Sequence, residues 1–168
     1  MNKKPELLSP AGNVDSLYAA MEAGADAVYL GLDRFNARIR ARNFTPQLAA
    51  TAISWAHKRN KKIYITLNTL IKEIELPEVI KLLSMLEAFR PDAIIVADFG
   101  VISLVRKHFP GLVLHASTQA GAHNSEAIRL LSRMGIKRTI LARELSIQEI
   151  KKIRVAADNI QGSQGAQG

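Results

Sequence analysis

The fold is decided by a strand–helix–strand stretch, Ala93–Ala116, which reads AIIVADFGVISLVRKHFPGLVLHA. The apolar runs at residues 93–97 and 112–116 predict two buried strands, and residues 100–109 between them predict a short helix. Continuous apolar strands that are joined by a helix are typical of a parallel sheet covered on both faces. The stretch therefore predicts one β–α–β unit.

The same unit repeats along the chain. Other apolar runs predict further strands, and capping residues such as asparagine, serine or threonine–proline predict the helices between them. The predicted further strands are Glu6–Ser9, Ala27–Leu30, Lys62–Leu67 and Arg138–Ala142; the remaining helices follow Asn13, Thr45, Pro77 (which begins its helix), Asn124 and Ser146. Six such units in a row predict an α/β fold with a parallel sheet.

Two architectures fit this pattern. A doubly wound open sheet suits the length, but no predicted strand is followed by the glycine-rich phosphate motif that would support it. A complete (β/α)8 barrel typically needs about 250 residues, so six units would form an incomplete barrel with open edges. Such edges predict self-association of the chain.

Composition limits the function classes. The chain has 168 residues, of which 48% are hydrophobic and 23% charged, so one globular domain is expected. It has no cysteine, which excludes disulfides, thiol nucleophiles and any iron–sulfur cluster held by this chain alone. No apolar run is long enough to span a bilayer and no signal core follows the first lysines, so a cytoplasmic location is expected. The net charge of +8 favours a polyanionic partner such as RNA.

We expect the domain to occupy residues 1–158. Residues 159–168 have no hydrophobic periodicity and are rich in glycine and glutamine. This composition predicts a flexible tail, a linker or a cloning scar.

Candidate site residues follow the strands, because ligands of parallel α/β folds bind at the carboxyl ends of the strands. The densest cluster lies around His115 and Ser117, which with Asp98 could form a nucleophile system. His115, His123 and Asp98 could alternatively be metal ligands, but their spacing resembles no tight ligand motif, and no metal is predicted. The candidate catalytic residues are His115, Ser117, Asp98 and Glu144, and the candidate substrate-binding residues are Asn68, Gln119, Arg143, Arg38, Arg40 and Asn43. Asp98 and Glu144 could equally hold structural ion pairs.

The loop after the second strand carries four arginines and two phenylalanines within residues 34–44. Guanidinium groups match carboxylate or phosphate geometry, and phenylalanine can stack on a ring. The loop therefore predicts an anionic ligand, with a solvated basic loop as the alternative.

Four motifs together resemble the collagenase-like peptidases, peptidase family U32, and the resemblance runs from about residue 4 to about residue 153. The motifs are Glu6–Gly12 (ELLSPAG), Ala23–Gly31 (AGADAVYLG), His115–Gln119 (HASTQ) and Leu141–Ser146 (LARELS). The resemblance implies a TIM-like (β/α) barrel, of which this chain holds the N-terminal six units.

What the resemblance implies about activity divides in two. Some members of the family are named as peptidases that act on collagen. Others are oxygen-independent hydroxylation proteins acting on RNA or a ubiquinone precursor, with a four-iron four-sulfur cluster on downstream cysteines and prephenate implicated as their oxygen source. This chain lacks those cysteines, so the hydroxylation activity could be complete only in a longer protein.

We therefore expect hydroxylation of RNA or of a quinone precursor, with a collagenase-like hydrolase and a non-catalytic RNA-binding module as alternatives. The arginine loop fits prephenate carboxylates or RNA phosphates by its charge. The isolated chain is not expected to be active by itself.

Overall fold

Six short strands form one sheet in the computed structural model, which describes residues 4–37 and 43–165. The strands are β1 (Leu8–Ala11), β2 (Ala27–Gly31), β3 (Lys62–Leu67), β4 (Ala93–Val96), β5 (Leu114–Ala116) and β6 (Arg138–Thr139). All neighbouring strands pair in parallel, in the order β1-β2-β3-β4-β5-β6. A doubly wound sheet reverses its strand order at a switch point, so the open-sheet alternative is wrong.

The sheet is curled, because residues next to its two edge strands touch. In a flat sheet β1 and β6 would lie about 24 Å apart, since neighbouring strands are about 4.8 Å apart. Instead, Arg138 Nη1 of β6 lies 2.6 Å from Glu6 Oε1, two residues before β1. The six strands therefore form a half-barrel. Within the described ranges β1 and β6 each pair on one side only, and self-association through these edges stays a prediction.

Within residues 4–37 and 43–165, six α-helices cover the outer face of the half-barrel. They are α1 (Val14–Glu22), α2 (Pro46–His57), α3 (Leu76–Phe89), α4 (Phe99–His108), α5 (Ser125–Arg133) and α6 (Ile147–Gly165), with short 3-10 turns at Glu73–Glu75 and Thr118–Ala120. The predicted caps are confirmed at Asn13, Thr45 and Asn124, whose side chains accept backbone hydrogen bonds. In the described part of the chain, no helix is both long enough and apolar enough to cross a bilayer.

Several boundaries differ from the sequence predictions. The first strand is Leu8–Ala11 rather than residues 6–9, and the fifth begins at Leu114 rather than at residue 112. The last strand stops at Thr139 rather than at residue 142, because its partner β5 ends at Ala116, which pairs with Thr139. The last helix continues to Gly165, so the described part of the predicted tail, residues 159–165, is helical. The domain boundary at residue 158 stays a prediction.

The two faces of the sheet differ in character. The face toward the helices carries the main core, in which Ile63, Ile65 and Leu83 are fully buried. The inner face carries a small second cluster of Ala27, Tyr64, Ala93 and Ile95. Because side chains alternate along a strand, every second residue is thus available to line the inside of the half-barrel.

Candidate functional site

A cavity of about 540 Å³ opens at the carboxyl ends of the strands, on the inner face. Its size is in the range of small-molecule sites. Most of its polar lining comes from side chains that follow β2, β3, β5 and β6. These polar lining residues are Asn36, Asn43, Thr66, Asn68, Ser117, Thr118, Gln119 and Arg143. Four predicted substrate-binding residues and one predicted catalytic residue, Ser117, are therefore brought together here.

Asn68 connects two parts of this rim. Its Oδ1 accepts a hydrogen bond from Ala37 N at 3.1 Å, and its Nδ2 lies 3.5 Å from Ser117 Oγ. Ser117 is buried, and its Oγ also accepts a hydrogen bond from Gln119 N at 3.2 Å. Asn68 thus fixes the start of the arginine loop to the end of β5, and the Ser117 hydroxyl serves as an acceptor inside the rim.

Among the described residues that line the cavity, Arg143 supplies the positive charge. Its side chain is exposed, and no ion pair is recorded for it among the described residues. A guanidinium group with all its donors available is suited to a carboxylate or phosphate. The cavity can therefore bind an anionic group at Arg143 and neutral polar groups at Asn68 and Gln119.

His115 lies on the inner face but is absent from the cavity lining. Its ring packs edge-on against Tyr64, with centroids 4.9 Å apart. Burial, helped by the positive charge of Arg138, lowers the pKa of His115 to about 4. His115 is therefore neutral at pH 7. In the described structure no hydrogen bond joins it to Ser117, whose recorded partners are Asn68 and Gln119.

Asp98 and Glu144 are placed away from that cavity. Asp98 caps α4 by accepting from Val101 N at 2.9 Å, and its other oxygen accepts from Ile71 N at 3.1 Å. Glu144 is exposed and lies 3.6 Å from His123 Nε2. The structure thus gives Asp98 a role in fixing the β3–α3 loop. It does not bring the Ser117, His115 and Asp98 side chains together as a hydrogen-bonded triad within the described ranges.

Replacing Asp98 with alanine is expected to lower the free energy of unfolding by about 1–2 kcal/mol. The reason is that the backbone N–H groups of Val101, in the first turn of α4, and of Ile71 both lose the carboxylate that accepts their hydrogen bonds. Urea unfolding measures the change. Glu144→Ala is the matched control, because Glu144 is also a strand-end carboxylate but is exposed, and we expect little change. Equal stability of both variants would show that the cap does not contribute.

Arg38 and Arg40, the remaining predicted binding residues, lie outside the described residues. Asn43, next to that segment, does line the cavity. Asn36 was not among the predicted site residues. It is buried, lines the cavity and donates a hydrogen bond to Leu32 O. A Cβ atom at Gly31 would lie 2.8 Å from Asn36 Cγ, so glycine at this position makes room for the Asn36 side chain.

A second polar cluster, at the base of the half-barrel, was also missed. The carboxylate of Glu6 accepts hydrogen bonds from Arg138 at 2.6 Å, Lys62 at 2.8 Å and the Tyr64 hydroxyl at 2.8 Å. Arg138 also lies over the Tyr64 ring, 5.5 Å from its centroid. We call these four residues the base cluster. It joins the two edges of the sheet.

The base cluster shifts the titration of its members. Burial by itself raises the pKa of Glu6, but the hydrogen bonds from Arg138, Lys62 and Tyr64 outweigh it and lower the pKa to about 2. Burial and the hydrogen bond to Glu6 raise the pKa of Tyr64 to about 12. Glu6 is therefore ionised and Tyr64 protonated at neutral pH.

The chain's own residues do not fit an iron–sulfur cluster. Such clusters are held mainly by cysteine thiolates, and this chain has no cysteine. Among the described residues, no three histidine, aspartate or glutamate side chains are grouped as metal ligands.

Curated relatives match nearly the whole chain. A tRNA hydroxylation protein P from Escherichia coli K12 is 42% identical over 151 residues, which are 90% of this chain and 33% of the relative. A 23S rRNA 5-hydroxycytidine synthase from the same organism is 39% identical over 91% of this chain and 23% of its own length. A collagenase from Porphyromonas gingivalis W83 is 33% identical over 95% of this chain and 39% of its own length. The chain thus spans about one third of the relatives' length.

Solved structures support the fold, and a family model gives the family. A U32 peptidase superposes with a TM-score of 0.70 at 14% identity, over 93% of this chain and 68% of that chain. A monomeric form of phosphoribosylanthranilate isomerase from Thermotoga maritima gives a TM-score of 0.52 at 18% identity, over 83% of this chain and 66% of that chain. At these identities the likeness concerns the fold alone. The model of peptidase family U32 matches residues 12–163. The chain therefore belongs to peptidase family U32.

Proposed function

We propose that this chain forms the substrate-binding barrel portion of a protein that hydroxylates RNA. The observation that carries the proposal is the polar cavity at the carboxyl ends of the strands, where Arg143 faces solvent beside Asn68 and Gln119. The relatives named for hydroxylation of tRNA and of 23S rRNA share this stretch of chain. Their names and the cavity chemistry together favour RNA over a quinone precursor.

In this proposal the chain binds and orients the substrates. Arg143 receives an anionic group, either a phosphate of the RNA or a carboxylate of a small molecule such as prephenate. The amides of Asn68 and Gln119 offer both donors and acceptors, which suit the edge of a nucleobase. The redox step requires groups that this chain does not contain. The cytoplasmic location expected from the sequence stays a prediction.

A collagenase-like hydrolase is the second candidate, favoured by the relative named a collagenase. A serine hydrolase needs a base within hydrogen-bond reach of its nucleophile. The recorded partners of Ser117 Oγ are an amide side chain and a backbone N–H. The geometry at Ser117 thus supports binding more than nucleophilic attack.

The test is mass analysis of nucleosides in RNA from cells that lack the gene. We expect one hydroxylated nucleoside to disappear, and to return when the full-length gene is restored. Restoration with Arg143→Ala should return less than a tenth of it, because a charge-assisted contact to substrate contributes about 1.5–3 kcal/mol. Arg129→Ala is the matched control, since Arg129 is an exposed arginine that pairs with Glu126 on α5.

An unchanged nucleoside profile in the deleted strain would refute RNA hydroxylation. In that case the purified full-length protein should be incubated with gelatin, with wild type and Ser117→Ala compared. Cleavage that Ser117→Ala abolishes would establish the hydrolase alternative. RNA binding with neither a hydroxylated nucleoside nor cleaved gelatin would support the remaining alternative, a non-catalytic RNA-binding module.

A further inference from the structure

One end of this half-barrel carries many unpaired basic side chains. The amino end is formed by the last turns of the helices and the starts of the strands. Eight of its lysine and arginine residues lie in the last turns of α2 to α5 or in the loops that follow, with no ion pair recorded for them in the described ranges: Lys58, Arg59, Lys61, Arg90, Arg106, Lys107, Arg133 and Lys137. All but the half-buried Lys61 are exposed. We call these eight residues the basic end.

Acidic residues do not neutralise the basic end. Two of the carboxylates there are already paired. Glu6 pairs with Arg138 and Lys62, and Asp92 pairs with His57. The remaining ones are Glu22, Asp26 and Glu87. The described part of the carboxyl end carries nine acidic and four basic residues, and three further arginines of the loop after β2 (Arg38, Arg40 and Arg42) lie outside the described residues. The acidic ones are Asp15, Asp33, Glu73, Glu75, Glu78, Asp98, Glu126, Glu144 and Glu149; the basic ones are Arg34, Lys72, Arg129 and Arg143.

The members of the basic end are neighbours in space. The strands follow one another in chain order around the sheet, so the ends of α2, α3, α4 and α5 also follow one another. A Cβ atom at Gly135 would lie 2.6 Å from Arg106 Nε, which places the end of α4 against the loop after α5. Helix dipoles favour cations in the last turn of a helix, but Lys61 and Lys137 lie in loops beyond the helices, so the dipoles do not account for the whole set.

One aromatic side chain stands beside the basic end. Arg59 stacks over the Trp55 ring at 4.1 Å, and Tyr18 packs edge-on against the same ring at 4.7 Å. Trp55 is the only tryptophan of the chain. Its emission therefore reports on what happens at Arg59.

We propose that the basic end is a docking surface for the phosphate backbone of RNA, on the side of the half-barrel opposite the cavity. The identity of the partner rests on the proposed function, since RNA is the polyanion that an RNA-hydroxylating protein must hold. The eight unpaired cations of the basic end carry the location. In this arrangement the cavity end selects the target nucleoside, and the remote basic end contributes affinity that does not depend on sequence.

The test uses the full chain and a fluorescein-labelled single-stranded RNA of about 20 nucleotides, a length that covers one or more binding sites of an ordinary domain. The patch variant replaces Lys107, Arg133 and Lys137 with glutamine. We expect its affinity at about 50 mM salt to fall at least tenfold, and the slope of log affinity against log salt to decrease by about 2, which corresponds to roughly 0.7 for each lost phosphate contact. Wild-type Trp55 emission should change when unlabelled RNA is added.

The matched control removes the same charge elsewhere. Lys81, Lys151 and Lys152 are exposed on α3 and α6, and replacing them with glutamine should change the affinity less than threefold. Lys58→Gln with Lys61→Gln provides a second patch variant if the first does not fold as judged by circular dichroism.

Several results would overturn this proposal. They are no RNA binding by the wild type, equal losses in the patch and control variants, no loss in the patch variants, and binding to vesicles of anionic lipid in preference to RNA. The proposal is separable from the proposed function. An unchanged nucleoside profile in the deleted strain, together with RNA binding that the patch variants weaken, would refute only the proposed function. Loss of the hydroxylated nucleoside in that strain, together with RNA binding that the patch variants do not weaken, would refute only the docking surface.

Discussion

Replacing Glu6 with glutamine is expected to lower the free energy of unfolding by about 2–3 kcal/mol at pH 7. One carboxylate holds three partners, and the variant leaves Arg138, Lys62 and the Tyr64 hydroxyl without the charge they share. Breaking a fully buried ion pair costs about 3–5 kcal/mol. The expected loss is smaller because the Lys62 and Arg138 side chains are 51% and 42% exposed.

The measurement is urea unfolding followed by circular dichroism. Glu87→Gln is the matched control, since Glu87 is an exposed glutamate with no recorded ion pair in the described ranges. Arg138→Gln and the double variant complete a thermodynamic cycle. We expect a coupling of about 1–2 kcal/mol between Glu6 and Arg138. A coupling near zero would mean that the base cluster does not tie the two edges of the sheet.

The fold could be predicted because the residues that specify each β–α unit lie close together in the sequence. Capping residues such as Asn13 and Asn124 act within three residues of themselves, so a sequence displays them directly. The ends of the elements were less predictable. The last strand stops early because its partner β5 ends at Ala116, and the length of the partner strand cannot be seen in the sequence of β6 itself.

The cavity could be predicted only in part. Asn68, Ser117, Gln119 and Arg143 line it because the carboxyl ends of parallel strands meet at one edge. Position after a strand does not fix the direction of a side chain, however. Asp98 instead accepts hydrogen bonds from two backbone N–H groups. The sequence does not show whether a carboxylate at the end of a strand faces a cavity or caps the next helix.

The base cluster had one signal in the sequence. Residues 62–67, read as a continuous apolar strand, in fact alternate, with Lys62, Tyr64 and Thr66 on one face and Ile63, Ile65 and Leu67 on the other. Such alternation predicts a polar inner face. The pairing of Glu6 with Arg138 spans 132 residues of sequence, and only the curl of the sheet brings these two residues together.

The stability of this protein is expected to fall as the pH drops from about 6.5 to about 4, and His115 is the cause. The pKa of His115 is lowered from 6.5 to about 4 in the folded protein, by burial and by Arg138. Between these values the unfolded chain binds a proton that the folded chain rejects. His115 therefore penalises folding only below pH 6.5, and the loss reaches up to roughly 3 kcal/mol near pH 4.

Glu6 adds a second loss at lower pH. Its pKa is lowered from 4.5 to about 2, so its contribution is complete above pH 4.5 and disappears as the pH falls toward 2. The two windows meet near pH 4.5. Replacing one residue at a time separates them, since each variant should flatten only its own part of the stability curve.

Urea unfolding of the wild type and of His115→Gln between pH 7 and pH 4 measures the first window. The variant should lose less stability than the wild type over this range, even if it is less stable at pH 7. His108→Gln is the control, because His108 is exposed at the end of α4, and it should keep the wild-type slope. If His115→Gln also kept that slope, His115 would not be held neutral at the base of the half-barrel. The packing of its ring against Tyr64, beside Arg138, would then need another explanation.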